Sequence, residues 1–204
     1  MPASKDLDQR YNYLFNSGIA DLEEADLVLL IGSNPRFEAP LVNARIRKAW
    51  RASTLNDIAL VGPKNLDLLY DYTWAGDDVN TLAAILSGSH PLAAKLKSAK
   101  RAAVILGQQI LKQSGGGGQS NAYDFAKAIA AKYGAELNVL HTSASKVAAL
   151  DLGIKPSSEL KVAENGQPAV LWLFGVDDQR LPIPKNCFVV YQVGSVFVYS
   201  TIFF

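Results

Sequence analysis

The stretch from Leu27 to Arg36 holds the residues of this sequence best suited to bind a phosphate group. Five apolar residues lead directly into Gly32, and Asn34 and Pro35 follow before a helix-forming segment. A strand, a tight glycine turn and a helix N-terminus can together present backbone N–H groups to an anion. Nucleotide-binding folds begin their phosphate loops in this way, so this loop is the first candidate for chemistry.

The same loop lacks the residues that ordinary nucleotide sites need. A dinucleotide site has the pattern G-x-G-x-x-G, but Gly32 is followed by Ser-Asn-Pro-Arg-Phe. The acid expected after the second strand is replaced by Gly62-Pro63-Lys64, and no Gly-Lys-Ser/Thr of a Walker loop occurs. We therefore predict no ordinary NAD or ATP binding. A plain strand-to-helix turn, stiffened by a proline, is the simpler role of the loop.

Metal binding and nucleophilic catalysis have few candidate residues. His90, His141 and Cys187 are far apart in the sequence. His90 precedes a predicted helix and suits a loop or a cap, His141 ends a strand, and Cys187 opens an apolar run as a buried, inert thiol. One cysteine cannot hold an iron–sulfur cluster, and a zinc site is nearly as improbable. We predict no catalytic residue and no metal site in this chain.

Two charged groups have both a functional and a plain interpretation. Asp177 and Asp178 follow an apolar run, where sites of α/β sheets gather, and could bind a cation. A solvated loop is the simpler interpretation of this acidic pair. A basic helix face could contact phosphates or an acidic partner, or could only face solvent; it comprises Arg45, Arg47, Lys48 and Arg51.

Composition narrows the class of protein. The chain has 204 residues, 49% of them hydrophobic, which allows one large domain or two small ones. A net charge of +1 gives no general attraction to nucleic acid or to an anionic membrane. The polar N-terminus carries no signal core or presequence, and no apolar stretch is long enough to span a membrane. We expect a soluble intracellular protein or a matrix-side subunit.

Short apolar runs ending in glycine recur along the chain and predict its strands. They occupy 27–32, 58–62, 103–107 and 170–175, and two further runs occupy 137–140 and 187–191. Continuous apolar runs are typical of strands buried on both faces of a parallel sheet. Helix-forming segments lie between them, at 38–51, 78–87, 91–99, 120–133 and 143–151. This alternation predicts a Rossmann-like open parallel α/β sheet, with helices on both faces and with 27–31, 58–61, 103–106 and 170–174 among its strands.

The chain is predicted to divide at a run of glycines. Residues 1–112 form a first α/β lobe, and the Gly-rich connection covers 113–119. A glycine run is typical of a flexible connection, and no strand directly precedes it as phosphate binding requires. Residues 120–192 form a second, truncated α/β portion, and 193–204 form a divergent apolar tail.

The segment "LEEADLVLLIGSNPRFEAPLVNARIRKAW" resembles the large iron–sulfur subunits of respiratory complex I, NADH:ubiquinone oxidoreductase. The resemblance runs from 10–17 through 87–100 and 145–156 to 181–192. These subunits belong to the molybdopterin oxidoreductase superfamily, whose cofactor-bearing members contact a pterin nucleotide through a G-x-N-P-like loop. Gly32, Asn34 and Pro35 match that loop. The resemblance implies that these residues are a vestigial, inherited scaffold with no cofactor.

The resemblance also implies a function. The chain would be a scaffold portion of the complex I subunit, supporting electron transfer from NADH to ubiquinone without being catalytic alone. Its partners would be other peripheral-arm subunits on the matrix side of the mitochondrial inner membrane, with no nucleic acid and no direct membrane insertion. The cysteines that bind 2Fe-2S and 4Fe-4S clusters in the family lie N-terminal to the matching segment. The sequence therefore resembles an internal fragment, a truncated isoform or an imperfect gene model, without a cluster.

Two alternatives stay open at the level of sequence. The chain could be a fragment of a molybdopterin- or nucleotide-binding oxidoreductase, which metal and pterin analysis would detect. It could also be a free-standing small-molecule binding module, which a thermal-shift screen with nucleotides would detect.

The tail raises a separate hypothesis, because the resemblance stops after Gln192. A glutamine codon CAG followed by the GT of Val193 has the form of a splice donor, which predicts translation into a retained intron. A genuine divergent C-terminus that adds a strand is the alternative, and the genomic DNA distinguishes the two.

Overall fold

The computed structural model describes residues 9–107, 121–141, 143, 145–154, 170–175, 183 and 187–192. The chain forms two compact units, Met1–Lys155 and Pro156–Phe204. The first unit carries a five-stranded sheet, and the second carries a two-stranded sheet. The predicted α/β class with a parallel sheet is confirmed.

The five-stranded sheet is parallel throughout and has the order β3-β2-β1-β4-β5. Its strands are β1 (Leu27–Ile31), β2 (Asp57–Val61), β3 (Thr73–Gly76), β4 (Ala102–Leu106) and β5 (Glu136–Val139). Every residue of β1 and of β4 is buried. A strand covered on both faces can be built only from a continuous apolar run, so "LVLLI" and "AAVIL" lie at the centre of the sheet.

Helices connect the strands and lie against the sheet. They are α1 (Pro35–Glu38), α2 (Pro40–Arg51), α3 (Val79–Ser87), α4 (Pro91–Ser98), α5 (Asn121–Tyr133) and α6 (Lys146–Asp151), preceded by 3-10 turns at Arg10–Asn12 and Asp21–Glu24. Asp78 caps α3 by accepting a hydrogen bond from the backbone N–H of Thr81 at 2.8 Å. Within the described ranges, no helix has the length and apolar content needed to cross a membrane.

Alternate residues of β1 pack into two separate cores. Leu27, Leu29 and Ile31 lie in a core that includes residues of α3, α4 and α5. Val28 and Leu30 lie in a second core with residues of α2. Successive side chains of a strand point to opposite faces, so one apolar run supplies both cores. Helices therefore cover both faces of the sheet, as predicted.

The predicted helix over 38–51 is two helices with a break at Ala39. Ala39 has φ −150° and ψ 74°, outside the helical region. The residue before a proline is disfavoured in the helical conformation, and Pro40 follows directly. Strand β3 was not predicted, since "TWAG" is short, partly exposed and without an apolar run.

The prediction that 170–174 belongs to the main sheet is wrong. Strand β6 (Val170–Phe174) pairs in parallel with β7 (Phe188–Gln192) in the separate two-stranded sheet. An apolar run ending in glycine is a local pattern and does not specify the partner strand. Within this unit the rings of Trp172 and Phe174 stack with their centroids 5.2 Å apart.

The compact units also differ from the predicted lobes. The first unit ends at Lys155, whereas the predicted connection over 113–119 lies outside the described residues. Strand β5 follows that connection in sequence but pairs with β4 in the main sheet. The predicted tail over 193–204 also lies outside the described residues.

Candidate functional site

The candidate site lies where the strand order reverses, at the carboxyl ends of β1 and β4. The chain runs outward from β1 through β2 to β3 and then returns to β4 on the other side of β1. Open α/β sheets bind their ligands in the crevice outside such a switch point. Gly32 follows β1 and Gly107 follows β4, so these two glycines mark the floor of the crevice.

The loop after β1 brings the predicted residues together. Gly32 has a φ of +54°, which favours glycine, and its N–H donates to Val61 O at 2.8 Å. Asn34 precedes α1, and Pro35 is buried as the first residue of that helix. The sequence therefore identified this turn and its three positions correctly.

A carboxylate already occupies the backbone amide of Asn34 in this loop. The backbone N–H of Asn34 donates to Oε1 of Glu38 at 2.8 Å. The carboxylate lies at the start of a helix, where N–H groups lack intrahelical partners and negative charge is favoured. A ligand phosphate would meet both a used donor and a like charge at this amide. Glu38 was not predicted as part of the site, although an acid in a first helical turn is a recognisable sequence signal.

The loop is also closed by a near contact between two backbones. A Cβ atom placed on Gly107 would lie 2.5 Å from Cα of Ser33 and 2.7 Å from the carbonyl carbon of Gly32, and would overlap the Gly32 carbonyl oxygen. Gly107 N–H donates to Ile31 O at 2.9 Å, which extends the β1–β4 ladder into the loop. The two backbones therefore meet at this level of the crevice, which only a glycine at 107 permits.

The neighbouring edge of β2 is covered by an aromatic side chain. Nε1 of Trp74 donates to Gly62 O at 2.9 Å. The ammonium of Lys64 lies 5.0 Å from the centroid of the Trp74 ring, within the range of a cation–π contact. A dinucleotide site needs a carboxylate here for the ribose, and these groups offer none.

Two polar side-chain atoms of the β1 loop are buried without a hydrogen-bond partner. They are Oγ of Ser33 and Oδ1 of Asn34. Ser33 is only 1% exposed, so its hydroxyl is enclosed by the protein and does not face an open crevice. A ligand could reach Ser33 only after the loop had moved.

The candidate metal or nucleophilic residues each have their own local contacts. Nδ1 of His90 accepts the N–H of Leu92 at 3.1 Å, which confirms the predicted capping role. Nε2 of His141 lies 2.5 Å from Tyr13 O, and burial lowers the pKa of His141. Cys187 is half-buried, so the expectation of a buried thiol is wrong.

The described part of the chain contains no group of three or more His, Cys, Asp or Glu side chains that could hold a metal ion. Asp177 and Asp178 lie outside the described residues.

A small cavity occupies the opposite edge of the sheet. It has a volume of about 100 Å³ and lies by the amino ends of β4 and β5, lined among others by Ser17, Asp21, Lys100, Arg101 and Glu136. The hydroxyl of Ser17 donates to Glu136 at 2.5 Å, so one of its acids already has a partner. Ligands of open α/β sheets bind at the carboxyl edge, and we therefore do not assign the site to this cavity.

An ion-pair cluster attaches the N-terminal segment to α6. Arg10 donates two hydrogen bonds of 2.9 Å to the carboxylate of Asp151, and Tyr13 OH donates a third at 2.8 Å. These bonds favour the ionised carboxylate, so Arg10 and then Tyr13 lower the pKa of Asp151. The same carboxylate raises the pKa of Tyr13.

Replacing Asp151 with asparagine is expected to make stability less dependent on acid pH. The folded-state pKa of Asp151 is below its ordinary value of 3.8, so its contribution is present above that value and is lost as the pH falls through the folded-state pKa. Urea unfolding of both proteins at neutral pH and at successively lower pH measures this. The difference between their midpoints should shrink below pH 3.8. A difference that stays constant with pH would contradict the prediction, and Asp77→Asn, an exposed acid, is the control.

The basic helix face lies outside the core, as predicted. Arg47, Lys48 and Arg51 are exposed. Nζ of Lys48 lies 2.7 Å from a carboxylate oxygen of Glu23, and Arg45 pairs with the other oxygen. These two partners, Lys48 first, lower the pKa of Glu23.

Comparison with known proteins gives one family. The model of the molybdopterin oxidoreductase family matches residues 2–195. The chain is 38% identical, over 91% of its length, to the NADH-ubiquinone oxidoreductase 75 kDa subunit of Reclinomonas americana. It is 37% identical over 94% of its length to the mitochondrial 78 kDa subunit of Neurospora crassa. It is 39% identical over 91% to the mitochondrial NADH dehydrogenase (ubiquinone) iron-sulfur protein 1 of Solanum tuberosum. The matched parts are 27%, 26% and 25% of those proteins, so the chain spans about a quarter of their length.

Proposed function

Because the chain belongs to the molybdopterin oxidoreductase family, we propose that it is a scaffold portion of the iron–sulfur subunit of complex I. In this role it supports electron transfer from NADH to ubiquinone and carries neither the active site nor a cluster. The observation that carries the proposal is the similarity to complex I subunits over at least 91% of the chain. Its partners are then other subunits of the peripheral arm, on the matrix side of the mitochondrial inner membrane.

Three features of the switch point support the loss of a nucleotide cofactor. The carboxylate of Glu38 takes the amide of Asn34 that a phosphate would use. The backbones at Gly32 and Gly107 meet across the crevice floor. Oγ of Ser33 has no partner, but it is enclosed and therefore cannot meet a ligand without a movement of the loop. These residues do not fit a pterin nucleotide phosphate, and we derive no chemical step through that cofactor.

The cysteine content supports electron transfer through clusters outside this chain. An iron–sulfur cluster needs about four thiolates. The sequence offers a single one, Cys187. The 2Fe-2S and 4Fe-4S clusters of the family subunit would then lie outside this segment, which would serve as a structural scaffold.

Native electrophoresis of complex I from the source organism tests the proposal. Peptides of this chain, identified by mass spectrometry, should be found in the band that oxidises NADH and reduces a ubiquinone analogue. Disruption of the encoding gene should lower that activity. Recovery of the chain only in fractions without complex I subunits would contradict the proposed function. Metal and pterin analysis of the purified chain tests the alternative of a molybdopterin enzyme.

Titration of the purified chain with NADH, ATP or GTP is expected to give no micromolar binding. The Asn34 amide already donates to Glu38, and the backbones of Gly32 and Gly107 meet at the crevice floor, so a phosphate would lose that donor and meet a like charge. Isothermal calorimetry measures this directly. Micromolar binding that disappears in Asn34→Ala would contradict the prediction and favour the alternative of a small-molecule binding module.

A further inference from the structure

The outer face of α2, together with the end of α1, carries a row of exposed side chains. Within α2, positions 41, 44, 48 and 51 follow one another at spacings of three or four residues, as on one side of a helix, and position 47 lies next to them. The large apolar members are 78% and 73% exposed, at positions 37 and 41. We call this row the α2 outer stripe; it comprises Phe37, Leu41, Ala44, Arg47, Lys48 and Arg51.

The stripe is apolar at one end and basic at the other. Phe37 lies in α1 and Leu41 at the start of α2, on either side of the break at Ala39, and the cations lie in the last two turns of α2. Glu23 is shared between Arg45 and Lys48. In the part of the chain that the structure describes, Arg47 and Arg51 take part in no ion pair or hydrogen bond. The stripe thus presents two free guanidinium groups beside exposed apolar surface.

We propose that the α2 outer stripe docks an amphipathic helix of a neighbouring polypeptide. That helix places apolar side chains against Phe37 and Leu41 and carboxylates against Arg47 and Arg51. The proposal rests on the proposed function, which puts the chain among other subunits, and it adds the surface and the chemistry of the partner.

The spacing of the stripe favours a helix as the occupant. Leu41, Ala44, Lys48 and Arg51 alternate steps of three and four residues, which is the spacing of a seam between two helices. Ala44 is the smallest residue of the stripe and permits a close approach at its centre. The guanidinium groups present fork-shaped donors that match carboxylates in pairs. The spacing of the stripe and its guanidinium groups therefore both favour a helix that carries carboxylates.

Other macromolecules match only half of the stripe. A nucleic acid would pair with the basic end but would leave Phe37 and Leu41 in contact with phosphate or water. A membrane-bound helix needs an apolar face along its length, whereas the apolar face of α2 is buried against the sheet. A protein helix satisfies both ends.

Zero-length cross-linking tests the proposed contact in the assembled complex. Arg47→Lys and Arg51→Lys each keep the positive charge and introduce an amine that a carbodiimide couples to a carboxylate. Complex I containing either variant should give a cross-linked peptide joining the new amine to an Asp or Glu of another polypeptide. The partner peptide should carry apolar residues within two helical turns of that acid, and both variants should identify the same peptide. Wild-type protein, which has arginine at both positions, should not give it.

Charge reversal tests whether the contact contributes to assembly. Arg47→Glu with Arg51→Glu should lower the fraction of the chain that co-purifies with complex I about tenfold. Lys97→Glu with Lys100→Glu makes the same change in charge at exposed positions in α4 and just after it, and α4 packs on the other face of the sheet from α2. This control should leave that fraction unchanged. Equal urea midpoints of the purified variants separate a lost contact from a lost fold.

Each outcome decides the proposal. A chain that stays in complex I, gives only internal cross-links and tolerates the charge reversal would overturn the docking surface and leave the proposed function intact. A chain that is absent from complex I would overturn both. Binding of the purified chain to phosphatidylserine vesicles or to single-stranded RNA, lost on charge reversal and without the protein cross-link, would assign the stripe to that other ligand and overturn the proposal.

Discussion

Gly107→Ala is expected to lower the free energy of unfolding of the chain by about 3 kcal/mol, at the upper end of typical overpacking costs. The new Cβ would lie 2.5 Å from Cα of Ser33 and 2.7 Å from the carbonyl carbon of Gly32. Both are backbone atoms of the loop after the central strand, so no flexible side chain can turn aside. Urea unfolding followed by circular dichroism measures the loss.

Gly88→Ala is the control for this substitution. Gly88 has a φ of +96° and nothing within 4 Å of a placed Cβ, so its replacement carries a backbone cost without a clash. That cost is about 1 kcal/mol. Equal destabilisation by the two substitutions would mean that the two loops do not approach each other as described, and would weaken the case for a closed crevice floor.

Leu30→Ala is expected to cost about 3 kcal/mol of unfolding free energy. Leu30 is 0% exposed in the centre of β1 and lies in the core shared with α2. Its truncation removes buried apolar surface and leaves a cavity between the sheet and α2. The urea midpoint should therefore fall steeply, with an unchanged slope if unfolding stays two-state.

Leu41→Ala makes the same chemical change on the surface. Leu41 is 73% exposed, so its truncation should change the unfolding free energy by no more than about 0.5 kcal/mol. A large loss of unfolding free energy in Leu41→Ala, or a small one in Leu30→Ala, would contradict the placement of Leu41 on the surface and of Leu30 in the core. Leu41→Ala also serves the docking proposal, since a weakened assembly without a weakened fold would point to a lost contact.

The central part of the fold follows from local patterns in the sequence. Every residue of the run at 27–31 is apolar, so both faces of this strand must be buried. A parallel sheet with helices on either side provides that burial. The helix predicted over 78–87 starts at Asp78, which caps α3, because capping chemistry depends on a few neighbouring residues. Elements with strong local signals were therefore predictable without any tertiary contact.

Elements without such a signal, and the pairing of elements, were not predictable. Strand β3 lies at the edge of the sheet, where "TWAG" needs no continuous apolar run. Strand β6 carries the same signal as β1, yet it pairs with β7 in another sheet. The hydrogen-bonding groups of a strand are the same along any backbone, so its partner is selected by the packing of the whole chain.

The candidate site divides in the same way. The sequence by itself determined the turn at Gly32, Asn34 and Pro35, because glycine and proline restrict their own backbone, and it identified the basic face of α2 from helical spacing. Only the tertiary structure brought Gly107 against Gly32, the indole of Trp74 over Gly62 and Glu23 between two cations. These contacts join residues at least 12 positions apart, and they form because the crossovers of the parallel sheet bring distant segments side by side. Residue types set which contacts are favourable, and the topology decides which of them are made.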